Sequence, residues 1–386
     1  MRILYCASDQ IVPGTKGGSV HVMAVAEGLS ALGHEVHALV TPGEHFPPAT
    51  RTRWIAMPPP LGRQELRWAL TSKVRQLAAE LRPDVIMERY YNFAGEGMAA
   101  AAATGAVAVL EVNAPVVDYP GSLKRALDRA MIVEPMRRRR ERMCAQADII
   151  VTPEPAILPP QTPAAKILEL EWGADTDQFT PGVRGTVPFS RPAATVAVFA
   201  GAFREWHGAI HLADAIREVR ARGRHDVGAV FIGDGPELSA VRRAAAGLDG
   251  VVFTGALPHS QMPACLSACD IGAAPFDLEA HPPLSLAFYW SPLKIFEYMA
   301  SGLPVVAPAS SRIPDIVGHD REGLLYDPAF PHALAGTLEA LTNPTLRTRL
   351  GHAARARAVR DYSWSAHCGA LDAAMRTARA GLKAHK

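Results

Sequence analysis

The sequence predicts an α/β protein built from two successive doubly wound domains, and three observations carry that expectation. The chain has 386 residues, too long for one ordinary core and about right for two. Short apolar runs alternate with amphipathic stretches throughout, the pattern of buried parallel strands joined by crossover helices. One segment, Thr180–Pro192 (TPGVRGTVPFSRP), is dense in Pro and Gly and has no periodicity, so it reads as a linker between two strand–helix series.

In the first series, Arg2–Ala7, Glu35–Val40, Asp84–Met87, Val107–Val112, Asp148–Thr152 and Lys166–Leu170 read as buried strands, with helices at Gly18–Leu32 and Glu65–Leu81. In the second, strands are expected at Thr195–Ala200, Val227–Ile232, Val251–Thr254, Ile271–Ala274 and Pro304–Ala307. Helices are expected there near Gly208–Arg222, Pro236–Ala246, Pro292–Ala300 and Ala333–Ala340. The predicted boundaries are residues 1–180, a linker at 181–192, and residues 193–364. Two amphipathic helices, about Thr345–Arg360 and Ser365–Lys383, have no strand after them. Ligands of doubly wound sheets sit beyond the carboxyl ends of the strands, so both domains are expected to point those ends at a shared central cleft.

Composition excludes several classes. Hydrophobic residues make up 48% of the chain and charged residues 20%, with a formal net charge of +2. These values argue against disorder and give no bulk electrostatic reason to expect nucleic acid as a partner. The N-terminal MRILYCAS runs straight into an apolar strand without the flanks of a signal peptide. No apolar stretch reaches the ~20 residues of a membrane span. The five cysteines are odd in number and scattered. Only Cys265 and Cys269 are close, with no second pair to complete a zinc site, so buried free thiols and a cytoplasmic location are expected.

The strongest local signal is Ser291-Pro-Leu-Lys-Ile-Phe-Glu-Tyr-Met-Ala-Ser-Gly-Leu-Pro304. Ser291 suits an N-cap, Pro292 the first helical position and Gly302 a C-terminal stop. Free amides at such a helix start, with Leu293 among its first residues, favour an anion. Lys294 is a cation where the macrodipole disfavours one, which calls for a negative partner such as a phosphate. Glu297 follows at i+3 and is suited to accept from ribose hydroxyls. The plain alternative is a capped surface helix with a Lys294–Glu297 ion pair.

Weaker signals join it. Gly17-Gly18-Ser-Val-His21 opens a helix after the first strand and lets backbone approach a ligand closely. It is neither a dinucleotide fingerprint nor a P-loop. Gly201-Ala-Phe-Arg204-Glu-Trp-His207-Gly208 places Arg204 and His207 in a loop leading into a helix, within reach of phosphate oxygens. Gly233-Asp-Gly235-Pro and Phe253-Thr254-Gly255 end the next strands, each explicable as turn chemistry alone. Glu88-Arg89-Tyr90 and Glu111-Val-Asn113 stand at strand ends of the first domain, the expected acceptor side. The tripeptide Asp175-Thr-Asp177 has the form of a metal-binding D-x-D but directly precedes the linker, so no metal is expected. The basic run Arg137–Arg140 with Arg142 is interrupted by Glu134 and Glu141. It allows a weak peripheral membrane contact but reads better as a solvated helix.

Taken together and in order, these residues resemble the retaining glycosyltransferases of family 4, which have the GT-B fold. The resemblance extends through Gly33-His-Glu-Val36, Ala147-Asp148, Trp172-Gly-Ala-Asp175 with Phe179 and Pro181, and Ala268-Cys-Asp270, and so covers nearly the whole chain. It implies a nucleotide-sugar donor, UDP- or GDP-linked, in the second domain, with no further cofactor. It also implies a sugar, lipid-linked or small-molecule acceptor on the first domain, and a C-terminal helix crossing back to that domain. Glu297 would bind the ribose, and Gly233, Gly235 and Thr254 would line the base pocket. Gly17 and Gly18, with Arg204, Lys294, His207 and His21, would serve the diphosphate and the transferred sugar. Glu88, Arg89 and Asn113 would face the acceptor. The chain departs from the family pattern at Tyr289, where a first glutamate is usual, and at Ala202 and His207, where permanent cations are usual. A subset with a Trp-His-Gly loop and a Ser-Pro-Leu-Lys helix start looks similar, with Arg204 and Lys294 supplying the missing charge. Charge accumulates on the leaving diphosphate during transfer, and fixed cations and helix amides stabilise it. The competing readings are an epimerase or phosphorylase of the same fold, or a nucleotide-sugar-binding protein without turnover.

Overall fold

The computed structural model describes all residues except Pro120, Ile132, Val133, Pro331, His385 and Lys386. The chain divides into two compact units. The first is Met1–Trp172 with Tyr289–Ser291 and Trp364–Lys386, and the second is Gly173–Phe288 with Pro292–Ser363.

The first unit holds a parallel sheet of β1 (Arg2–Val12), β2 (Glu35–Pro42), β3 (Arg53–Ala56), β4 (Val85–Arg89), β5 (Val107–Glu111), β6 (Ile149–Thr152) and β7 (Ile167–Glu169). Their order is β3-β2-β1-β4-β5-β6-β7. The sheet grows outward from β1 in both directions, so the order reverses between β1 and β4, and a crevice forms beyond the carboxyl ends of those two strands. Ile3, Tyr5, Val85, Met87, Val107 and Val109 are buried on the central strands. The C-terminal helix Trp364–Ala384 completes this unit's core through Cys368, Leu371 and Met375, so it is stabilised by the first sheet.

The second unit repeats the plan with β8 (Thr195–Ala200), β9 (Val227–Ile232), β10 (Val251–Gly255), β11 (Ile271–Ala273), β12 (Val305–Pro308) and β13 (Gly323–Tyr326). The order is β10-β9-β8-β11-β12-β13, again parallel, with its reversal between β8 and β11. Its core gathers Phe199, Phe203 and Phe231 against Leu212, Ile216 and Val219 of the helix Ala209–Ala221.

Several local expectations are corrected. β1 continues to Val12, well past Ala7. The expected helix Glu65–Leu81 is 3₁₀ over Gln64–Leu70 and α-helical only over Thr71–Leu81. β3 and β13, each four residues long, were not anticipated. Ser291 does not cap the helix Leu293–Ala300. Pro292 is the N-cap, and the Ser291 hydroxyl donates to Glu171 at 2.7 Å while accepting the Trp172 N–H at 3.0 Å.

The basic run lies on the helix Pro135–Gln146 and is largely consumed there. Arg140 is buried against Asp118 at 2.8 Å and Asp128 at 3.8 Å, Arg137 pairs with Glu134 and Glu141, and Arg139 donates to the Ala94 carbonyl. Only Arg138 and Arg142 of the run are exposed without such partners. All five cysteines are buried and unpaired. Among the described residues no helix is long and apolar enough to cross a membrane, and no group of His, Cys, Asp and Glu is placed to hold a metal ion.

Candidate functional site

In the second unit the reversal point is built by the loop after β8, the segment after β11 and the helix Leu293–Ala300. The loop Gly201–Gly208 is anchored by Phe203, which is fully buried and whose N–H donates to the Asp234 carbonyl at 2.9 Å. Arg204 is exposed, with its guanidinium 5.8 Å from the centre of the Trp206 ring. His207 Nδ1 lies 2.6 Å from the Ala202 carbonyl oxygen, so Nδ1 carries the hydrogen and donates. Burial, and then the nearby Lys294, push the His207 imidazole down to about 3. At that value the imidazole is a neutral ring that braces the loop through its bond to Ala202.

Lys294 is the unusual group. Its Nζ is buried and has no hydrogen-bond partner. It lies 4.2 Å from the centre of the Phe199 ring and 5.2 Å from that of Phe276, so aromatic faces partly replace its lost hydration. Burial drives its pKa down to about 7, against the opposing pull of Glu297. The Lys294–Glu297 ion pair of the plain alternative is not formed. Glu297 instead accepts from His259, with Nε2 to Oε1 at 2.9 Å, and this bond raises the His259 pKa against the effect of its burial. A buried ammonium without an acceptor is costly unless an anion completes it.

Leu293 opens the helix one residue before Lys294. Gly233, after β9, has φ +132°, and a Cβ there would lie 1.9 Å from the Gly201 carbonyl oxygen, so the crossing of the two strand ends requires glycine. Gly235 and Thr254 flank the same edge: Gly235 N–H donates to the Asp234 side chain at 2.7 Å, and Thr254 Oγ1 donates to the Gly255 carbonyl at 2.8 Å. The second unit thus brings Arg204, His207, Lys294, Leu293, Glu297, Gly233, Gly235 and Thr254 to one end of its sheet.

In the first unit the hub is Glu111, which sequence reasoning placed at a strand end on the expected acceptor side. It receives the Tyr5 hydroxyl at 2.6 Å and Arg89 at 2.9 Å, lies 2.6 Å from His21 Nε2, and accepts from Asn113. Burial opposes ionisation, but His21 and Arg89 hold its carboxyl far below the usual range. His21 is completely buried, stacked 4.2 Å from Trp172, and burial lowers its pKa. The free protein therefore has it packed rather than presented. Trp172 Nε1 donates to Asn113 at 2.8 Å, and the Arg89 guanidinium lies 5.5 Å from the centre of the Trp172 ring. Gly17 begins the helix Gly17–Ala31. A Cβ on Gly18 would fall 2.2 Å from the Gln10 side-chain oxygen, so Gly18 makes room for Gln10.

Glu88 is the clear departure in this unit. It is fully buried, both its oxygens accept N–H groups of Gly95 and Met98 at the start of the helix Glu96–Thr104, and burial with Glu96 pushes its pKa up. It forms part of a buried ion cluster with Arg67, Asp9 and Glu96. The Asp175 carboxylate caps its own turn, accepting the N–H groups of Asp177 and Gln178.

Sequence reasoning missed Phe199, Phe276 and His259. The two phenylalanines sit in apolar runs and look like core, and His259 has no local pattern at all.

Residues 15–158 match the family model described as Glycosyltransferase Family 4, and residues 194–343 match the one described as Glycosyl transferases group 1. A GDP-mannose-dependent alpha-(1-6)-phosphatidylinositol monomannoside mannosyltransferase of Mycobacterium tuberculosis is 27% identical over 220 residues, covering 52% of this chain and 54% of the relative. A 2-deoxystreptamine glucosyltransferase of Streptomyces kanamyceticus is 32% identical over 144 residues, covering 36% of this chain and 34% of the relative. The chain spans between 22% and 54% of the length of the curated relatives it matches. Among solved structures, Anabaena Alr3699/HepE in complex with UDP-glucose superimposes with TM-score 0.69 at 18% identity over 100% of both chains. Sucrose-phosphate synthase from Thermosynechococcus elongatus does so with TM-score 0.70 at 18% identity, over 98% and 99% of the chains. With two Rossmann-like parallel sheets, a family 4 domain over residues 15–158 and a group 1 domain over residues 194–343, the chain takes its place among the glycosyltransferases of GT-B fold.

Proposed function

We propose that this protein moves a glycosyl group from a nucleotide-diphosphate sugar to a hydroxyl group, with the second unit holding the donor and the first the acceptor. The observation that carries the reading is Lys294, a buried ammonium without an acceptor at the first turn of the helix that also presents Glu297. A diphosphate supplies the missing anion, with Arg204 the exposed cation of the neighbouring loop. Glu297 accepts from the ribose hydroxyls. As the bond to the leaving phosphate breaks, Lys294, Arg204 and the free amides of Leu293 and Lys294 stabilise the growing charge without reorganising. No metal is needed for that step, and the anomeric configuration is retained. UDP and GDP are the favoured carriers, because relatives and solved neighbours carry GDP-mannose and UDP-glucose in their names. Acceptors range from lipid-linked glycans to small polyols such as aminocyclitols.

The test is a screen of UDP- and GDP-sugars with and without candidate acceptors, in EDTA and in manganese. Nucleotide release that depends on an acceptor and persists in EDTA supports the proposal. Turnover that manganese alone restores, or donor conversion without any acceptor or phosphate, overturns it.

A further inference from the structure

We propose that the second unit carries a further binding site, separate from the nucleotide end of its sheet, for a small organic molecule bearing two or more ammonium groups. The site is a cavity of about 710 Å³ between the helix Ala209–Ala221, the segment after β11 and the connection from β13 into the helix Ala333–Ala340. That volume lies within the range of small-molecule pockets. None of the residues assigned to the nucleotide lines it. Phe276 alone is common to this cavity and to the surroundings of Lys294.

The walls of the cavity are acidic. On the helix Ala209–Ala221, Asp214 and Glu218 stand one turn apart and line it together with His211, at the i, i+3, i+7 spacing of one helix face. Asp277 and Glu279 line it from the segment after β11. Two of these four carboxylates are engaged already. Glu218 lies 2.6 Å from His332 Nδ1 and also pairs with Arg222, and Asp277 lies 3.4 Å from His211 Nε2. Asp214 and Glu279 are exposed, and among the described residues neither carboxylate has a hydrogen-bond or ion-pair partner. No lysine or arginine stands among the described residues of the lining, so these two charges are not neutralised from within.

The rest of the lining is apolar and aromatic. Phe276, Tyr326, Leu334 and Ala335 are buried, and Phe330 beside them keeps 67% of its surface exposed. Ring faces attract ammonium groups, and apolar surface takes up the carbon body between them. A ligand with a single charge would leave one free carboxylate unused, and a neutral ligand both. A bare metal ion fits poorly as well, because no group of His, Cys, Asp and Glu among the described residues converges to hold one. The cavity therefore selects a cation whose charge is spread over several amino groups along an apolar body. This assignment does not depend on the proposed glycosyl transfer.

The experiment is calorimetric titration of the full chain, at constant ionic strength, with spermidine, hexamethylenediamine, the neutral hexanediol of matching carbon length, and magnesium chloride. Both amines should bind, hexanediol should not, and magnesium should not displace the amines. Asp214→Asn/Glu279→Gln should weaken amine binding by about tenfold or more, since each change removes a charged acceptor. Ala329→Trp, which fills the cavity without altering its charge, should abolish amine binding. Glu65→Gln/Glu80→Gln, on the first unit, should bind the amines as wild type does. Melting temperature and UDP or GDP affinity should be unchanged in all three variants, which separates loss of this site from loss of fold and from failure of the nucleotide site. The proposal is overturned if neither amine binds, if hexanediol binds as tightly, or if magnesium displaces the amines. It is equally overturned if Asp214→Asn/Glu279→Gln or Ala329→Trp retains wild-type amine affinity, or if Glu65→Gln/Glu80→Gln loses it.

Discussion

The ammonium of Lys294 rests 4.2 Å from the centre of the Phe199 ring with no hydrogen-bond acceptor in reach, and this pair defines the electrostatics of the second unit. Burial lowers its pKa to about 7, from about 10.4 in the unfolded chain. The sign follows. Above pH 7 the free protein has largely lost this proton, whereas a bound diphosphate favours the charged form, so binding takes up a proton there. Nucleotide affinity should therefore fall as pH rises from 7 towards 9, by up to about tenfold per pH unit. Calorimetry in two buffers of different ionisation enthalpy should show the proton uptake, and Lys294→Met should abolish it. Any slope remaining in Lys294→Met belongs to His259, whose neighbours are Glu297 and Asp175. A pH-independent dissociation constant in wild type would remove Lys294 from the phosphate site.

Arg204 and His207 should separate cleanly. Arg204 is exposed and permanently charged, so Arg204→Ala should lower kcat/KM by ~100-fold, as deletion of one oxyanion donor does. His207 is pushed down to about 3 and donates to Ala202, so it is already neutral throughout pH 6 to 8. His207→Gln should therefore give a pH–rate profile parallel to wild type over that range. A deficit that grows towards low pH would show that the imidazole gains charge once the donor is bound.

His259 is a positioning residue in this account. Its bond to Glu297 fixes the carboxylate that faces the ribose. His259→Ala should weaken nucleotide binding by about fivefold, the effect of one ordinary hydrogen bond. His259→Gln should restore most of it, because an amide N–H can replace the imidazole donor. Equal weakening in both variants would instead indicate that the ring's packing against Phe179 matters, not its hydrogen bond.

Tyr298 supports the same end of the sheet from behind. Its buried hydroxyl accepts the Ala200 N–H at 2.8 Å, the last residue of β8 before the loop. Tyr298→Phe leaves that N–H unsatisfied and should cost about 1–3 kcal/mol in urea unfolding. An unchanged midpoint would mean that water or a shifted carbonyl replaces the bond.

What the sequence made legible is what local chemistry encodes. The apolar runs at Thr195–Ala200 and Val227–Ile232 coincide with β8 and β9, because buried parallel strands are apolar on both faces. The misplaced positive charge of Lys294 was readable because a cation at a helix start is locally unfavourable. The surroundings of that charge were not. Phe199 lies 95 residues before Lys294 in the chain, and His259 lies 38 residues before Glu297, so only the folded sheet reveals either pair. Glu88 looked like a site residue because it stands at a strand end, and His21 because it follows the glycines that open a helix. The structure turns both inward, one to cap a helix and the other to stack on Trp172.

A nucleotide diphosphate held at the start of the helix Leu293–Ala300 should feel the change Glu297→Gln. UDP and GDP would be titrated calorimetrically into wild type and into the variant, with matching melting temperatures of the unliganded proteins as the control for folding. Wild type should bind at least one nucleotide measurably. The variant should lose ~1.5–3 kcal/mol, the range for hydrogen bonds to a charged group, equivalent to roughly 10- to 150-fold in affinity. Wild-type affinity in a correctly folded Glu297→Gln protein would contradict it.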